Sequence, residues 1–164
     1  MRNNKDAKFQ ISFGMLFSII IIIFTIAIAV YAINYFLKLK SCTELVGFYD
    51  SLKENVDRVY ASNFAEQTLK LSVPGETLEV CFGNISEAKT RYPDEYKELE
   101  RLSTRGYNVY LYPSVKKCSQ TQPGIKIDRV YVDKFFCQDI MSNKLDIKLI
   151  KEFNEPKVRI TASQ

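Results

Sequence analysis

The pattern of apolar and polar positions predicts a transmembrane helix near the N-terminus. Residues 9–37 form a run of 29 residues without a charged side chain, and apolar residues fall on every side of a helix. As an α-helix this run is about 43 Å long, whereas the hydrocarbon core of a bilayer is about 30 Å thick. We therefore expect a membrane span at 9–37, preceded by a short tail at 1–8.

Two other structures contain a similar apolar run, and both fit this sequence less well. A domain of this size has no room to bury a long helix that is apolar all round. A cleaved secretory signal has an apolar region of about 7–15 residues followed by small residues, whereas this run is longer and ends in Tyr35, Phe36 and Leu37. An uncleaved anchor is the favoured interpretation, and the Tyr35 ring suits a membrane interface.

The next segment, at residues 38–61, has the periodicity of an amphipathic helix. Glu44, Lys53 and Arg58 lie off its apolar side. The apolar stripe consists of Leu45, Phe48, Tyr49, Leu52, Val56, Val59 and Tyr60. No proline interrupts residues 9–61, so the span and this segment form either one long helix or two separate helices.

Beyond residue 61 the pattern becomes mostly that of strands. Residues 68–73 and 77–82 alternate on either side of Pro74-Gly75, which predicts a β-hairpin with Leu78, Val80 and Phe82 on one face. A second helix begins at Pro93 and ends at Gly106. Further strands are predicted at 107–112, 125–132, 135–137, 146–153 and 157–160, with a polar loop at 119–124.

These elements predict an α+β fold. The long N-terminal helix, with a transmembrane half and an amphipathic half, packs on an antiparallel β-sheet of five to seven strands, and one further helix completes the fold. Residues 62–164 form the α+β domain, which we expect to lie outside the cytoplasm.

The charge distribution removes nucleic acid from the expected partners. The chain has 23 basic and 19 acidic residues, but the whole excess of +4 falls within residues 1–40, and the remainder is neutral. A basic excess around an apolar helix is a membrane signal, whereas a nucleic-acid-binding domain carries its excess on the folded part.

The residue types present also limit the chemistry. Histidine is absent, which removes histidine acid–base catalysis and most zinc and copper sites. The sequence has no phosphate-binding glycine loop and no nucleophile elbow. We predict no catalytic residues, metal or cofactor, and no small-molecule substrate is evident.

Four cysteines, Cys42, Cys81, Cys118 and Cys137, all follow the span. None is spaced as C-x-x-C, so neither a thioredoxin-like motif nor a zinc ribbon is indicated. An even number of cysteines behind an anchor favours two disulfides in an oxidising compartment, and four buried free thiols are the alternative. We predict the pairs Cys42–Cys81 and Cys118–Cys137, and Asn84, in the triplet Asn-Ile-Ser, is a candidate glycosylation site.

The N-terminus resembles that of archaeal type IV pilin-like proteins. The resemblance rests on Lys8, Gln10, Ile11, Ser12 and the apolar run, about a fifth of the chain, and the remainder is similar to small archaeal membrane-anchored proteins with this start. The chain departs from the pattern at Phe9, where prepilins have Gly or Ala before the cleavage site. It departs again at Gly14, where many have the glutamate that pairs with a neighbouring subunit.

We therefore expect a single-pass cell-membrane protein of pilin-like organisation that acts by interaction or as a structural component, and not as an enzyme. Its partners are the lipid bilayer and other membrane or filament proteins. The basic residues before the span slightly outnumber those after it, which favours a cytoplasmic N-terminus and an outside C-terminal domain. The alternatives are a subunit of a type IV pilus-like filament and a membrane-tethered enzyme or thiol oxidoreductase.

Overall fold

The computed structural model describes residues 13–114 and 124–163. The predicted tail at 1–8, the start of the pilin-like motif, Cys118 and the polar loop up to residue 123 lie outside these ranges. The chain divides into two compact units between Leu37 and Lys38.

The first element, α1, is one helix of 48 residues at Phe13–Tyr60. It contains no proline. The apolar run and the amphipathic segment therefore form one continuous helix and not two separate helices. The apolar stripe of its second half is buried as predicted, except for Tyr60, which is partly exposed beneath the guanidinium of Arg129. The buried residues are Leu45, Phe48, Tyr49, Leu52, Val56 and Val59.

The second unit contains two four-stranded sheets. The strands are β1 (Ala65–Ser72), β2 (Glu79–Phe82), β3 (Val109–Tyr112), β4 (Gly124–Ile125), β5 (Val130–Tyr131), β6 (Phe136–Asp139), β7 (Lys144–Lys151) and β8 (Val158–Ala162). The first sheet has the order β1-β7-β8-β5 and the second has the order β4-β3-β2-β6. Every pair is antiparallel except β5 and β8, which are parallel.

The predicted hairpin of 68–73 and 77–82 is wrong. A turn does form, because Thr77 N–H donates to the Pro74 carbonyl, but it connects two different sheets. The strand β1 pairs with β7, with Leu69 opposite Ile147, whereas β2 pairs with β3 and β6. The local turn signal was correct, and it carried no information about the partner strands.

The second sheet is covered on both faces. Val80 and Phe82 of β2 point into the main core, which they share with the second half of α1 and the first sheet. Cys81 points the other way, into a smaller cluster with Tyr110, under the short helix α2 (Pro93–Leu99). This alternation is the period-two pattern of a strand with apolar residues on both faces. Leu78, predicted on the same face as Val80, precedes the strand and is exposed.

The second helix begins at Pro93 as predicted but changes geometry before its end. After Leu99 the chain continues as a 3₁₀ helix over Glu100–Arg105, and Gly106 ends it with φ +65°. A left-handed backbone at this position is what glycine tolerates best.

The predicted strand at 125–132 is divided into β4 and β5, which belong to different sheets. A turn at Asp128 and Arg129 separates them, and Val130 N–H donates to the Ile127 carbonyl. The fold class is nevertheless the predicted one: the protein is α+β, with a long N-terminal helix, mainly antiparallel sheets and one further short helix.

Candidate membrane anchor and interaction surfaces

The N-terminal part of α1 has the length and composition of a membrane span. Its most apolar window is long enough to cross a bilayer, and none of that window is buried within the protein. A core helix of a soluble protein passes the same test of composition, but most of it is buried. The exposed side chains include five consecutive isoleucines, Ile19 to Ile23.

The structure pairs the cysteines differently from the prediction. Cys81 bonds to Cys137, not to Cys42, so the predicted pairs Cys42–Cys81 and Cys118–Cys137 are both wrong. The two cysteines face each other across β2 and β6, with Cα atoms 3.9 Å apart. Cys137 lies 56 residues after Cys81 in the chain but directly opposite it in the sheet. The spacing of the cysteines in the sequence did not reveal this pairing.

The described cysteines contain no free thiol. Cys42 is disulfide-bonded as well, whereas Cys118 lies outside the described residues. Cys81 is fully buried against Tyr110, so its disulfide is shielded from solvent on that side. A buried disulfide between adjacent strands is typical of a structural bond, whereas redox-active disulfides are exposed.

The glycosylation candidate Asn84 lies on the surface just after β2. Its side-chain carbonyl accepts a hydrogen bond from Ser86 N–H at 3.1 Å, and it caps the 3₁₀ helix Ile85–Glu87. Ile85 is buried, but Asn84 and Ser86 are exposed. The Asn84 and Ser86 side chains are therefore accessible from solvent.

Three carboxylates meet where β2, β6 and α2 come together. Glu79 lies opposite Asp139 in the sheet, and Glu95 of α2 is within hydrogen-bond reach of Glu79. Burial, and then the charges of Glu95 and Asp139, raise the pKa of Glu79. Oε2 of Glu79 is buried and has no hydrogen-bond donor among the described residues. A contact between two carboxyl groups becomes a hydrogen bond only when one of them is protonated.

Next to these carboxylates lies the one group of three potential metal-binding side chains among the described residues. It consists of Glu79, Cys81 and Cys137. The two sulfur atoms are joined in the disulfide, so they offer no thiolate, which is the form of cysteine that binds metals.

A groove of about 660 Å³ lies between the second half of α1 and the first sheet. We call it the lysine groove, because Lys40, Lys70 and Lys144 line it. Lys40 pairs with Glu44 at 3.6 Å, and Lys70 pairs with Asp146 at 3.8 Å. All these ion-pair side chains are largely exposed, so the pairs contribute little to stability.

Aromatic side chains are exposed at the opposite end of the first sheet. Phe64 is 69% exposed and Phe153 is 72% exposed, and they flank the paired positions Ala65 and Lys151. Tyr60 lies nearby, with Lys151 Nζ 5.5 Å from its ring centre. Sequence patterns did not identify this cluster, because it combines the end of α1 with a turn about 90 residues later.

Comparisons with protein-family models, with curated proteins and with solved structures give no match for this chain.

Proposed function

We propose that this protein is a single-pass membrane protein whose folded domain lies outside the cytoplasm and acts by interaction with other proteins. The observation that carries the proposal is the exposed apolar part of α1, which no other part of the described chain covers. Isolated apolar side chains on a surface are common, but a continuous exposed helix of this kind is stable in lipid and insoluble in water.

The disulfide supports an outside location for the domain. Disulfides persist in oxidising compartments and are rare in the cytoplasm. The Cys81–Cys137 bond joins two strands of the second sheet, and Cys42 is also bonded. Both bonds follow the anchor in the sequence, in agreement with a cytoplasmic N-terminus.

The chemistry of the domain supports interaction over catalysis. The chain has no histidine, and the buried position of Cys81 argues against a thiol oxidoreductase. The carboxylates around Glu79 are arranged about a structural disulfide, and Glu79 itself is only partly buried.

Labelling of introduced cysteines in intact cells tests the orientation. Lys157→Cys is exposed in the turn before β8, whereas Asn4→Cys precedes the anchor. A membrane-impermeant maleimide is expected to label Lys157→Cys in intact cells and Asn4→Cys only after permeabilisation. The wild-type chain is the blank, because its described cysteines have no free thiol. The reverse labelling pattern contradicts the proposal.

The second candidate is a subunit of a type IV pilus-like filament. It is favoured by the pilin-like start and by the exposed helix, because such helices bundle in a filament core. Electron microscopy of sheared surface fractions and mass spectrometry of the mature N-terminus distinguish the two. A chain that retains Met1 and forms no filaments contradicts the filament, whereas cleavage near Phe9 with filaments supports it.

A further inference from the structure

The triplet Asn84-Ile85-Ser86 is a motif that the proposed function does not use. Asn84 is the only asparagine of the chain with a serine or threonine two positions later, which is the acceptor pattern for N-glycosylation. Such acceptors are used on surface loops of secreted and extracellular proteins. The triplet lies in the folded domain, for which the proposed function gives an outside location.

The fold gives separate roles to the two polar atoms of the Asn84 side chain. Gly83 has φ +111°, a left-handed conformation that ends β2 just before Asn84. Asn84 Oδ1 accepts the hydrogen bond from Ser86 N–H, whereas Asn84 Nδ2 has no hydrogen-bond partner among the described residues. A sugar is attached at Nδ2, so glycosylation leaves the cap of the 3₁₀ helix intact.

A groove of about 520 Å³ lies beside this amide. We call it the asparagine groove; its lining includes Asn84, Ser86, Ser103, Tyr107 and Tyr131. Its volume is within the range of small-ligand sites, which is about 300–1,000 Å³. A group attached to Asn84 therefore has a concave surface of suitable size next to its point of attachment.

The lining of the groove fits an uncharged sugar. None of the described side chains that line it is charged. Glu87, which follows the triplet, accepts a hydrogen bond from Phe135 N–H at 3.1 Å. Sugars present hydroxyl groups and apolar C–H faces; the serine hydroxyls match the first, and a tyrosine ring such as the partly exposed Tyr107 matches the second.

We propose that Asn84 carries an N-linked glycan whose first sugar is uncharged and lies in the asparagine groove against Tyr107. In the transfer, Asn84 Nδ2 loses a proton and bonds to the anomeric carbon of the sugar. The bond from that carbon to a phosphate oxygen of a lipid-linked sugar phosphate breaks, and the lipid phosphate leaves with the bonding electrons. The inference rests on the proposed function, because it requires the domain to be outside the cytoplasm.

Mass spectrometry of the full chain, purified from the membranes of the organism that makes it, tests the modification. After reduction and trypsin digestion, the peptide 71–89 is expected to carry the mass of a glycan at Asn84. Asn84→Asp and Ser86→Ala should lose this mass, whereas Ser86→Thr should keep it. Both loss variants retain the cap, because an aspartate accepts the same hydrogen bond and the donor is the backbone N–H of residue 86.

A tryptophan in the groove tests where the sugar lies, because the protein has no tryptophan of its own. Acrylamide quenching of Tyr107→Trp is expected to be about twofold weaker with the glycan than in the Ser86→Ala background, because a bound sugar covers one face of the ring. Phe153→Trp, an exposed position that does not line the groove, is the matched control and should be quenched equally in both backgrounds.

An unmodified peptide 71–89 overturns the proposal. A glycan at Asn84 with equal quenching of Tyr107→Trp in both backgrounds overturns the position of the sugar in the groove. Labelling of Lys157→Cys in intact cells separates this inference from the proposed function. If Lys157→Cys is labelled and Asn84 is unmodified, only the glycan fails, whereas a Lys157→Cys protected from the reagent contradicts the outside location itself.

Discussion

The two halves of α1 have the same backbone geometry but different surroundings. Before Leu37 the side chains are almost all exposed, including every isoleucine from Ile19 to Ile23. After Lys38, one side of the helix is buried in the main core, with Leu45 and Leu52 among its fully buried residues. Only the second half shows the alternation of buried and exposed positions that water imposes on a helix.

This difference indicates which solvent each half requires. The exposed apolar side chains of the first half are unfavourable in contact with water, whereas contact with lipid acyl chains is favourable for them. The second half is stabilised by packing against the strands. Changes in the first half should therefore alter membrane retention, and changes in the second half should alter the free energy of unfolding.

The largest effect is expected from two charges in the first half. Ile20→Arg combined with Ile23→Arg costs about 5–7 kcal/mol of insertion free energy, at about 2.5–3.5 for each arginine. We expect the variant to become extractable by alkaline carbonate, whereas Ile20→Leu with Ile23→Leu stays in the membrane. Full retention of the arginine variant would show that this half is not the anchor.

Removal of the Cys81–Cys137 disulfide is the next largest change, and it acts on the domain alone. Cys81→Ala with Cys137→Ala is expected to lower the free energy of unfolding by about 4 kcal/mol, because the bond closes a long loop in the unfolded chain, between residues 56 positions apart. Urea unfolding in nanodiscs measures the loss, and carbonate extraction should show unchanged retention. Non-reducing peptide mapping should recover residues 81 and 137 as one linked pair, and another pairing would contradict the structure.

Truncation of a core side chain in the second half is expected to cost less. Leu52 is fully buried in the main core, and Leu52→Ala should lower the free energy of unfolding by about 3 kcal/mol. The matched control is Ile28→Ala in the first half, which should leave unfolding of the domain unchanged. An equal loss from both variants would remove the distinction between the two halves.

The sequence was sufficient for features that depend on local periodicity. The stripe from Leu45 to Val59 was identified from its helical spacing, and the second helix from Pro93 and Gly106 at its ends. Each of these signals acts over a few residues, through side-chain direction or backbone conformation.

Features that depend on distant pairing could not be obtained in this way. The partner of Leu69 in the sheet is Ile147, and Cys81 bonds to Cys137, so in both cases the chain returns after a long excursion. A turn at Pro74 was compatible with a hairpin or with a change of sheet, and spacing did not distinguish them. The lysine groove and the carboxylates around Glu79 combine separate segments for the same reason.

The smallest expected effect is a pH dependence of the free energy of unfolding, which concerns the domain and not membrane retention. The pKa of Glu79 is raised chiefly by burial, with smaller contributions from Glu95 and Asp139. A carboxyl whose pKa is higher in the folded state favours folding when protonated. Its contribution is complete below the unfolded pKa of about 4.3 and is lost as pH rises through the folded pKa.

Glu79→Gln cannot ionise, so it avoids the loss of stability that ionisation of Glu79 causes in the wild type. The variant should therefore have a larger free energy of unfolding than the wild type at neutral pH, and this difference should decrease toward pH 4. Urea unfolding at several pH values measures this difference. Shared carboxyls that do not interact with Glu79 cancel in the comparison, such as Glu155, whose pKa is lowered by Tyr131 and Arg159. Asp94→Asn, on the exposed first turn of α2, is the control for the removal of one carboxylate from the same region. Membrane retention should not vary over this range, because residues 13–37 contain no carboxylate. A constant difference between wild type and Glu79→Gln at all pH values would contradict the raised pKa.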